Sequence, residues 1–587
     1  LCTNGGPVIM LQCENEYGYY GDDKKYLKHL YEFYRSRDID VPLFTSDGTS
    51  KEDILDGSIE GCFETLNFGS RVSENFAAHD ELFPNQPKMC MEMWNGWFDA
   101  WGDEEHHVTS AENYAAVVDD MLKKGSLNIY MFIGGTNFGF TSGANHYEKF
   151  APDVTSYDYD ALLSECGDVT DKYYAVRNVV KKYVDEVIQE LTLDEKIGVM
   201  SGQVTEKKLL DDLFLIEHYN VKPYPTKAVE RLGIPNIRFV DGPRGVVAGS
   251  ATCFPVSMAR GASFDRDLEE KIGEVIGAEV RAVGGNYYGG VCINLPRNPR
   301  WGRAQECYGE DTYHLGEMGA ALTRGVQSQN VMACIKHFAM NSIENARFKA
   351  DVHADKRTLF EVYLPHFKRC IEEGAASVMG AYNKVYGEQA SESKYLLKDI
   401  LRDKWGFEGF TLSDFLWAVK DGPKAVKSGM NVEMPCICHY AEQIPKAIED
   451  GTLAMEDVDE AVGYILRTVL YYETRKDPQE YTEDILACPE HIAVAKRAAE
   501  ESMVLLKNEN HVLPLDKEKT EKIVVLGELG DTENIGDHGS SKVHPYYTVT
   551  PFKGLMKKMP KAQILYNDGS DLERAKELAA DADAVAV

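Results

Sequence analysis

The sequence predicts an α/β protein with parallel sheets, and three observations carry that expectation. Short apolar runs alternate with stretches of helical spacing along most of the chain. Most of those runs end in polar or glycine-bearing residues, as barrel strands feeding functional loops do. The 587 residues exceed what one hydrophobic core supports, so two to four domains are expected.

In the first block, strands are predicted at 8–11, 42–45, 61–66, 89–93 and 127–133, with a helix over 24–34. A T-x-x-E pattern, Thr109 to Glu112, predicts the cap of the helix that precedes the last strand. About five strands leave an eight-stranded barrel incomplete, so this block reads as a partial (β/α)8 segment. From Asp171 to Leu191, the residues Tyr173, Val176, Val180, Tyr183, Val187 and Leu191 keep a helical rhythm without a Pro/Gly/Ser linker. A second capping pattern, Thr192 to Glu195, starts a fresh helix. The second block alternates again, with strands predicted at 237–240, 292–295, 332–335, 377–381 and 410–412. In the third, strands at 522–526 and 562–566 surround a glycine-rich loop at 536–541, and another begins at Asp583. The expected domains are therefore 1–182, 186–475 and 485–587. The turn-like start and the strand-like end make the outer two read as cut short.

Lys and Arg number 63 against 95 Asp and Glu, a formal charge of −32. Such a surface repels phosphate backbones and anionic lipid, so neither nucleic acid nor membrane is expected as a partner. No run approaches the ~20 apolar residues that span a bilayer. The 13 cysteines are scattered without paired C-x-x-C motifs, which argues against a disulfide framework and for an intracellular, bacterial setting. Cys436, Cys438 and His439 lack a fourth ligand, and Asp103 to His107 reads as a solvated loop; no metal and no cofactor are expected. The sequence holds no G-x-S-x-G, P-loop or H-E-x-x-H pattern.

Several polar groups stand at or just after predicted strand ends of the second block. They are Asp241-Gly-Pro-Arg-Gly, Asn298-Pro-Arg-Trp-Gly-Arg303, Lys336-His337-Phe338-Ala339, Arg347, Ala381-Tyr382-Asn383 and Ser413-Asp414. Converging on one barrel mouth, such a set would bind a polyol, with cations donating and carboxylates accepting. In order and spacing these motifs resemble glycoside hydrolase family 3. The resemblance runs from about 186 to 587 and includes Thr-Leu-Asp-Glu-Lys-Ile, Glu433-Met434-Pro435 and Val504-Leu505-Leu506-Lys507-Asn508. It implies a (β/α)8-like TIM barrel followed by a truncated α/β sandwich domain. It also implies a retaining β-glucosidase with Asp414 as nucleophile. Asp241, Arg303, Lys336, His337, Arg347 and Tyr382 would line the seat of the non-reducing sugar. Two departures stand out. Phe415 replaces the family's usual Trp, with Trp417 two residues on. The family's acid/base glutamate is expected past residue 587, so this chain should be slow on ordinary glycosides, by roughly 10²–10⁴-fold.

In the first block, Gln12-Cys13-Glu14-Asn15-Glu16-Tyr17-Gly18 and Met91-Glu92-Met93-Trp94-Asn95-Gly96-Trp97 follow strands. Later come Tyr130-Met131-Phe132-Ile133-Gly134-Gly135 and Thr155-Ser156-Tyr157-Asp158. Together these resemble glycoside hydrolase family 35 β-galactosidases. By that resemblance Glu16 is the acid/base, Glu92 the nucleophile, and Asn15, Trp97, Tyr130 and Tyr157 are sugar contacts. The family's first three strands are expected upstream of Leu1, so no galactosidase activity is expected from this chain alone. The expected substrate is a β-glucoside or β-galactoside oligosaccharide. The leading reading is β-glucosidase through Asp414; the alternatives are β-galactosidase through Glu16 and Glu92, or a chain that binds sugar without turnover.

Overall fold

A computed structural model describes residues 8–139, 141–146, 149–214, 219–536 and 539–587. The chain divides into two units, Leu1–Val187 and Ile188–Val587. In the first, strands β1 (Leu11–Gln12), β2 (Leu43–Asp47), β3 (Phe63–Phe68), β4 (Met89–Trp94) and β5 (Ser126–Tyr130) pair in that order, all parallel. Its main core joins Leu66, Phe68, Cys90 and Met93 to Tyr114, Val118 and Met121 of helix α1 (Ala111–Leu122). The cap of α1 departs from the sequence expectation. Ser110, not Thr109, is the N-cap, and its hydroxyl accepts from Asn113 N at 3.2 Å. Thr109 instead donates its backbone N–H to Asp160 Oδ2, which sets it outside the helix. Helix α2 (Asp171–Glu190) fills the stretch read as helical.

At the start of the second unit, Thr192 and Glu195 form a reciprocal capping box on helix α3 (Leu193–Val199), satisfying two orphan donors. Six strands follow: β6 (Tyr224–Pro225), β7 (Arg238–Val240), β8 (Tyr287–Cys292), β9 (Met332–Phe338), β10 (Ser377–Gly380) and β11 (Phe410–Leu412). They pair in chain order; β6 is antiparallel to β7 and the remaining pairs are parallel. Single bridges complete the ring through Leu412–Val432, Ser201–Glu433 and Gly202–Thr226. The result is a TIM-barrel-like domain with one reversed stave. Helices α4 (Arg266–Ala282) and α5 (Thr312–Ser328) bury Leu268, Ile272, Ile276, Leu315 and Leu322 against it.

β8 lies earlier than the apolar run at 292–295 suggests. Two mid-strand glycines hide it, because Gly contributes no apolar signal and weakens strands in isolation. Gly289 is there for space: a Cβ at that position would stand 2.4 Å from Cζ of the buried Phe239 ring. An α/β sandwich-type segment follows, with β12 (Lys522–Leu526) between β13 (Gln563–Asn567) and β14 (Ala584–Ala586), all parallel. Part of the glycine-rich loop, residues 537 and 538, lies outside the described residues. Just beyond it, Ser541 and Val543 are buried, and His544 O accepts from Ala251 N at 3.1 Å on the barrel.

Gly289→Ala is expected to destabilise the barrel by ~1–3 kcal/mol through overpacking. A lowered urea midpoint for the loss of barrel structure checks this; an unchanged midpoint would show that the Phe239 ring gives way freely.

Candidate active site

Strand termini deliver the polar groups, since each strand end turns out of the packed barrel core into a loop. β7 ends at Val240, so Asp241 is the first residue past the sheet, and it is buried. Its Oδ1 accepts from Lys336 Nζ at 2.8 Å, and its Oδ2 accepts from Tyr219 OH at 3.1 Å. Lys336 and His337 lie in the last turns of β9, both buried. Burial draws the Lys336 ammonium's pKa down, but the Asp241 carboxylate outweighs it and the group stays above its ordinary range.

His337 is held in one tautomer. Asn294 Oδ1 accepts the His337 backbone N–H at 2.8 Å, so it is an oxygen, and it lies 2.8 Å from Nδ1. Nδ1 therefore carries the proton. Burial, together with Arg303, Lys336 and Arg347, pushes the imidazole pKa well below its usual value, so the ring is neutral. Its Nε2 faces Asp414 Oδ2 at 3.6 Å as a lone pair, not a donor.

Asp414 stands two residues past β11 and is buried. Its Oδ1 accepts from Phe415 N at 2.8 Å, while its buried Oδ2 has no hydrogen-bond partner among the described residues. Burial raises the carboxyl's pKa, and Arg303, Arg347 and Lys336 oppose the rise. Arg303 is gripped by Glu306 through two bonds of 2.8 Å. Despite burial, Glu306 is held below its ordinary range by Arg303, with help from Lys336 and the Ser541 hydroxyl. Arg347 pairs with Glu344 at 2.7 Å, and its guanidinium lies 4.6 Å from the Tyr382 ring centroid. Tyr382 donates its hydroxyl to Phe415 O at 2.8 Å.

The structure thus gathers Asp241, Arg303, Lys336, His337, Arg347, Tyr382 and Asp414 in one locality. Sequence reading passed over Tyr219, Asn294 and Glu344, which hold Asp241, His337 and Arg347. Asn294 and Glu344 stand just beyond strand ends, but neither belongs to a patterned motif. Phe415 does not face outward: its ring packs on Tyr219, Tyr224 and Phe239 at 5.9, 6.2 and 4.9 Å. The aromatic wall beside Tyr382 is formed instead by Phe348 and the half-exposed Trp417, 5.3 Å apart.

In the first unit, Asn67 links the two glutamates. It donates to Glu16 Oε1 at 3.0 Å and accepts from Glu92 N at 3.1 Å. Burial raises the Glu92 pKa, with Trp94 Nε1–H opposing at 3.1 Å from Oε2. Trp97 packs edge-on against Trp94 at 5.4 Å, and the Tyr130 and Tyr157 hydroxyls lie 3.3 Å apart. Asn15 is engaged from outside this group by Gln12 Nε2 at 2.8 Å. Nearby, Asp99, Asp103 and His107 bring possible ligand atoms within 4.8 Å of one another. Asp99 already bonds both His106 and His107. The segment at Cys436–His439 does other work: Glu433 accepts from the backbone N–H groups of Cys438, His439 and Tyr440.

A barrel mouth with a buried carboxylate among cations and acceptors is suited to holding a sugar, and the class follows from likeness: this is a glycosyl hydrolase. Residues 177–468 match the glycosyl hydrolase family 3 N-terminal domain and 503–587 the family 3 C-terminal domain; over these stretches, more than half of its length, the chain belongs to glycosyl hydrolase family 3. Residues 1–183 match glycosyl hydrolases family 35. Among similar proteins, thermostable β-glucosidase B of Acetivibrio thermocellus is 35% identical over 407 residues, 66% of this chain and 50% of the relative. Probable β-glucosidase I of Emericella nidulans is 34% identical over 395 residues, 66% of this chain and 45% of the relative. The chain thus spans about half the length of these curated relatives. β-Glucosidase 3B from Thermotoga neapolitana, solved with glucose, aligns with a TM-score of 0.59 at 32% identity, covering 67% of this chain and 56% of that one.

A raised native pKa for Asp414 means that the folded state binds its proton more tightly than the unfolded chain. The stability it adds is complete below the ordinary aspartate pKa of 3.8 and is lost as pH rises through the native value. Asp414→Asn, which imitates the protonated form, is therefore expected to raise Tm at pH 7, with a gain that shrinks toward pH 4. A drop in Tm at pH 7 would contradict the sign.

Proposed function

We propose that the second unit is a retaining β-glucosidase that acts on terminal non-reducing β-D-glucosyl residues through a covalent Asp414 intermediate. One observation carries this reading: Asp414 Oδ2 is buried, has no hydrogen-bond partner among the described residues, and faces the lone pair of a neutral histidine. An anionic oxygen so placed is poorly solvated and nucleophilic. The second support is kinship, since the similar proteins named above are β-glucosidases.

In the first step, Oδ2 bonds to the anomeric carbon as the bond to the leaving oxygen breaks, and that oxygen takes the electron pair. Positive charge develops on the sugar ring, and the anionic Asp414 stabilises it. In the second step, water adds at the same carbon and gives up a proton to solvent or to the departed leaving-group oxygen, the ester bond breaks, and the carboxylate is regenerated. Asp241 accepts from sugar hydroxyls while Arg303, Lys336 and Arg347 donate. His337 Nε2 accepts a further hydroxyl proton, which gives its fixed tautomer a role.

A dinitrophenyl leaving group departs without protonation, so dinitrophenyl β-glucoside tests Asp414 alone. Asp414→Ala is expected to lower turnover at least ~10³-fold. A 2-fluoroglucoside should label Asp414, and azide should yield the β-glucosyl azide. Recovery of an α-azide, or no label on Asp414, would rule out the proposed mechanism.

A second reading concerns the first unit, where Asn67 ties Glu16 and Glu92 together. There we propose a β-galactoside site with Glu92 as nucleophile and Glu16 as acid/base. Glu92→Gln should leave turnover of the dinitrophenyl glucoside within about twofold of the parent and abolish any turnover of the galactoside. A loss of glucoside turnover would assign that activity to the wrong unit.

A further inference from the structure

Beside the Asp414 locality lies a cavity of ≈ 460 Å³ whose walls come from two loops that also serve the sugar seat. One loop carries Arg297, Arg300 and Trp301 and reaches Arg303 two residues later. The other carries Met340, Ile343 and Glu344 and reaches Arg347 three residues later. The volume falls in the usual range for a small-molecule site. Met340 and Ile343 give it an apolar wall suited to an aryl ring.

Its charge runs against that of the whole chain. In a protein of net charge −32, the cavity presents two guanidiniums with no carboxylate partner among the described residues. Arg297 has a single bond to a neutral group, Nη1 to Tyr363 OH at 3.3 Å. The Arg300 side chain is exposed at the rim. Glu344, the acidic residue in the lining, pairs with Arg347 through Oε1, and its buried Oε2 has no hydrogen-bond partner among the described residues, so the two arginines outnumber the one carboxylate. Trp301 is buried, and its indole N–H has no hydrogen-bond partner among the described residues, which marks this wall as polar and incompletely satisfied.

We infer that this cavity receives the leaving-group side of the substrate and selects aryl or similar aglycones bearing an anionic substituent, a carboxylate or a sulfate. The inference rests on the reading of the Asp414 locality as the seat of the glucosyl unit. Guanidinium suits such a partner because it offers paired donors to planar anions and is weakly hydrated. Arg297 and Arg300 then determine specificity, while Asp414 and its neighbours carry the chemistry.

The test is calorimetric, with two glucosides that resist hydrolysis: phenyl β-D-thioglucoside and its 4-carboxyphenyl counterpart. The carboxylate is expected to bind about tenfold more tightly at low salt, with the preference falling as NaCl is raised. Arg297→Gln/Arg300→Gln should abolish the preference and leave affinity for the phenyl compound within about twofold. Equal binding of both compounds by the parent chain, or a preference that survives in the double variant, overturns the inference and leaves the sugar seat standing. If neither compound binds, the sugar seat itself fails and the inference falls with it.

Discussion

One buried carboxylate oxygen, Oδ2 of Asp414, has no hydrogen-bond donor among the described residues, and it sets the terms for the rest of the barrel mouth. A buried, unpaired acceptor is costly, and a charged one more so. Asp414 therefore depends on compensation from further away. Arg303, Arg347 and Lys336 provide it from a distance, and none of the three bonds to Oδ2. A direct ion pair at Oδ2 would have been more stable and less reactive.

Each of those cations must in turn be restrained, or it would swing onto the free oxygen. Glu306 holds Arg303, Asp241 holds Lys336, and Glu344 holds Arg347. Asn294 does the equivalent for the neutral His337, turning its N–H away from Asp414. The arrangement extends past the barrel. The buried Ser541 side chain of the C-terminal segment helps hold the Glu306 pKa down, and His544 bridges to Ser250.

Most of the strand order was legible because apolar runs bounded by polar loops are a local signal. Phe410–Leu412 shows this well, a short run that ends two residues before Asp414. β8 was less legible because Gly289 and Gly290 answer to the Phe239 and Tyr288 rings, a tertiary demand that no window on the chain reveals. The ring closure at Val432 and Ser201 also escaped pattern reading, since single bridges leave no periodicity. At the site, residues in tight motifs were legible: Lys336-His337, Arg303, Asp414. Their restraints were not. Tyr219 lies 22 residues before Asp241, Asn294 lies 43 before His337, and Asn67 lies 51 after Glu16. Such partners are set by the fold, and an Asn or Tyr alone carries no pattern.

Phe415 shows how one position can serve packing and chemistry at once. Its backbone N–H donates to Asp414 Oδ1 and its carbonyl accepts from Tyr382, so its main chain orients both of those side chains. Its ring, buried among Tyr219, Tyr224 and Phe239, anchors that main chain to the barrel core. Because this ring points inward, aromatic contact toward solvent falls to Phe348 and Trp417. The Trp417 ring is half exposed and touches Phe348 edge-on. On the proposed reading, a wall built that way would restrict what lies beyond the first sugar far less than the cation-lined floor restricts the sugar itself. On the proposed mechanism, rigid backbone contacts at Phe415 would fix where bond breaking occurs, and looser aromatic and arginine contacts further out would decide which leaving groups are presented to it.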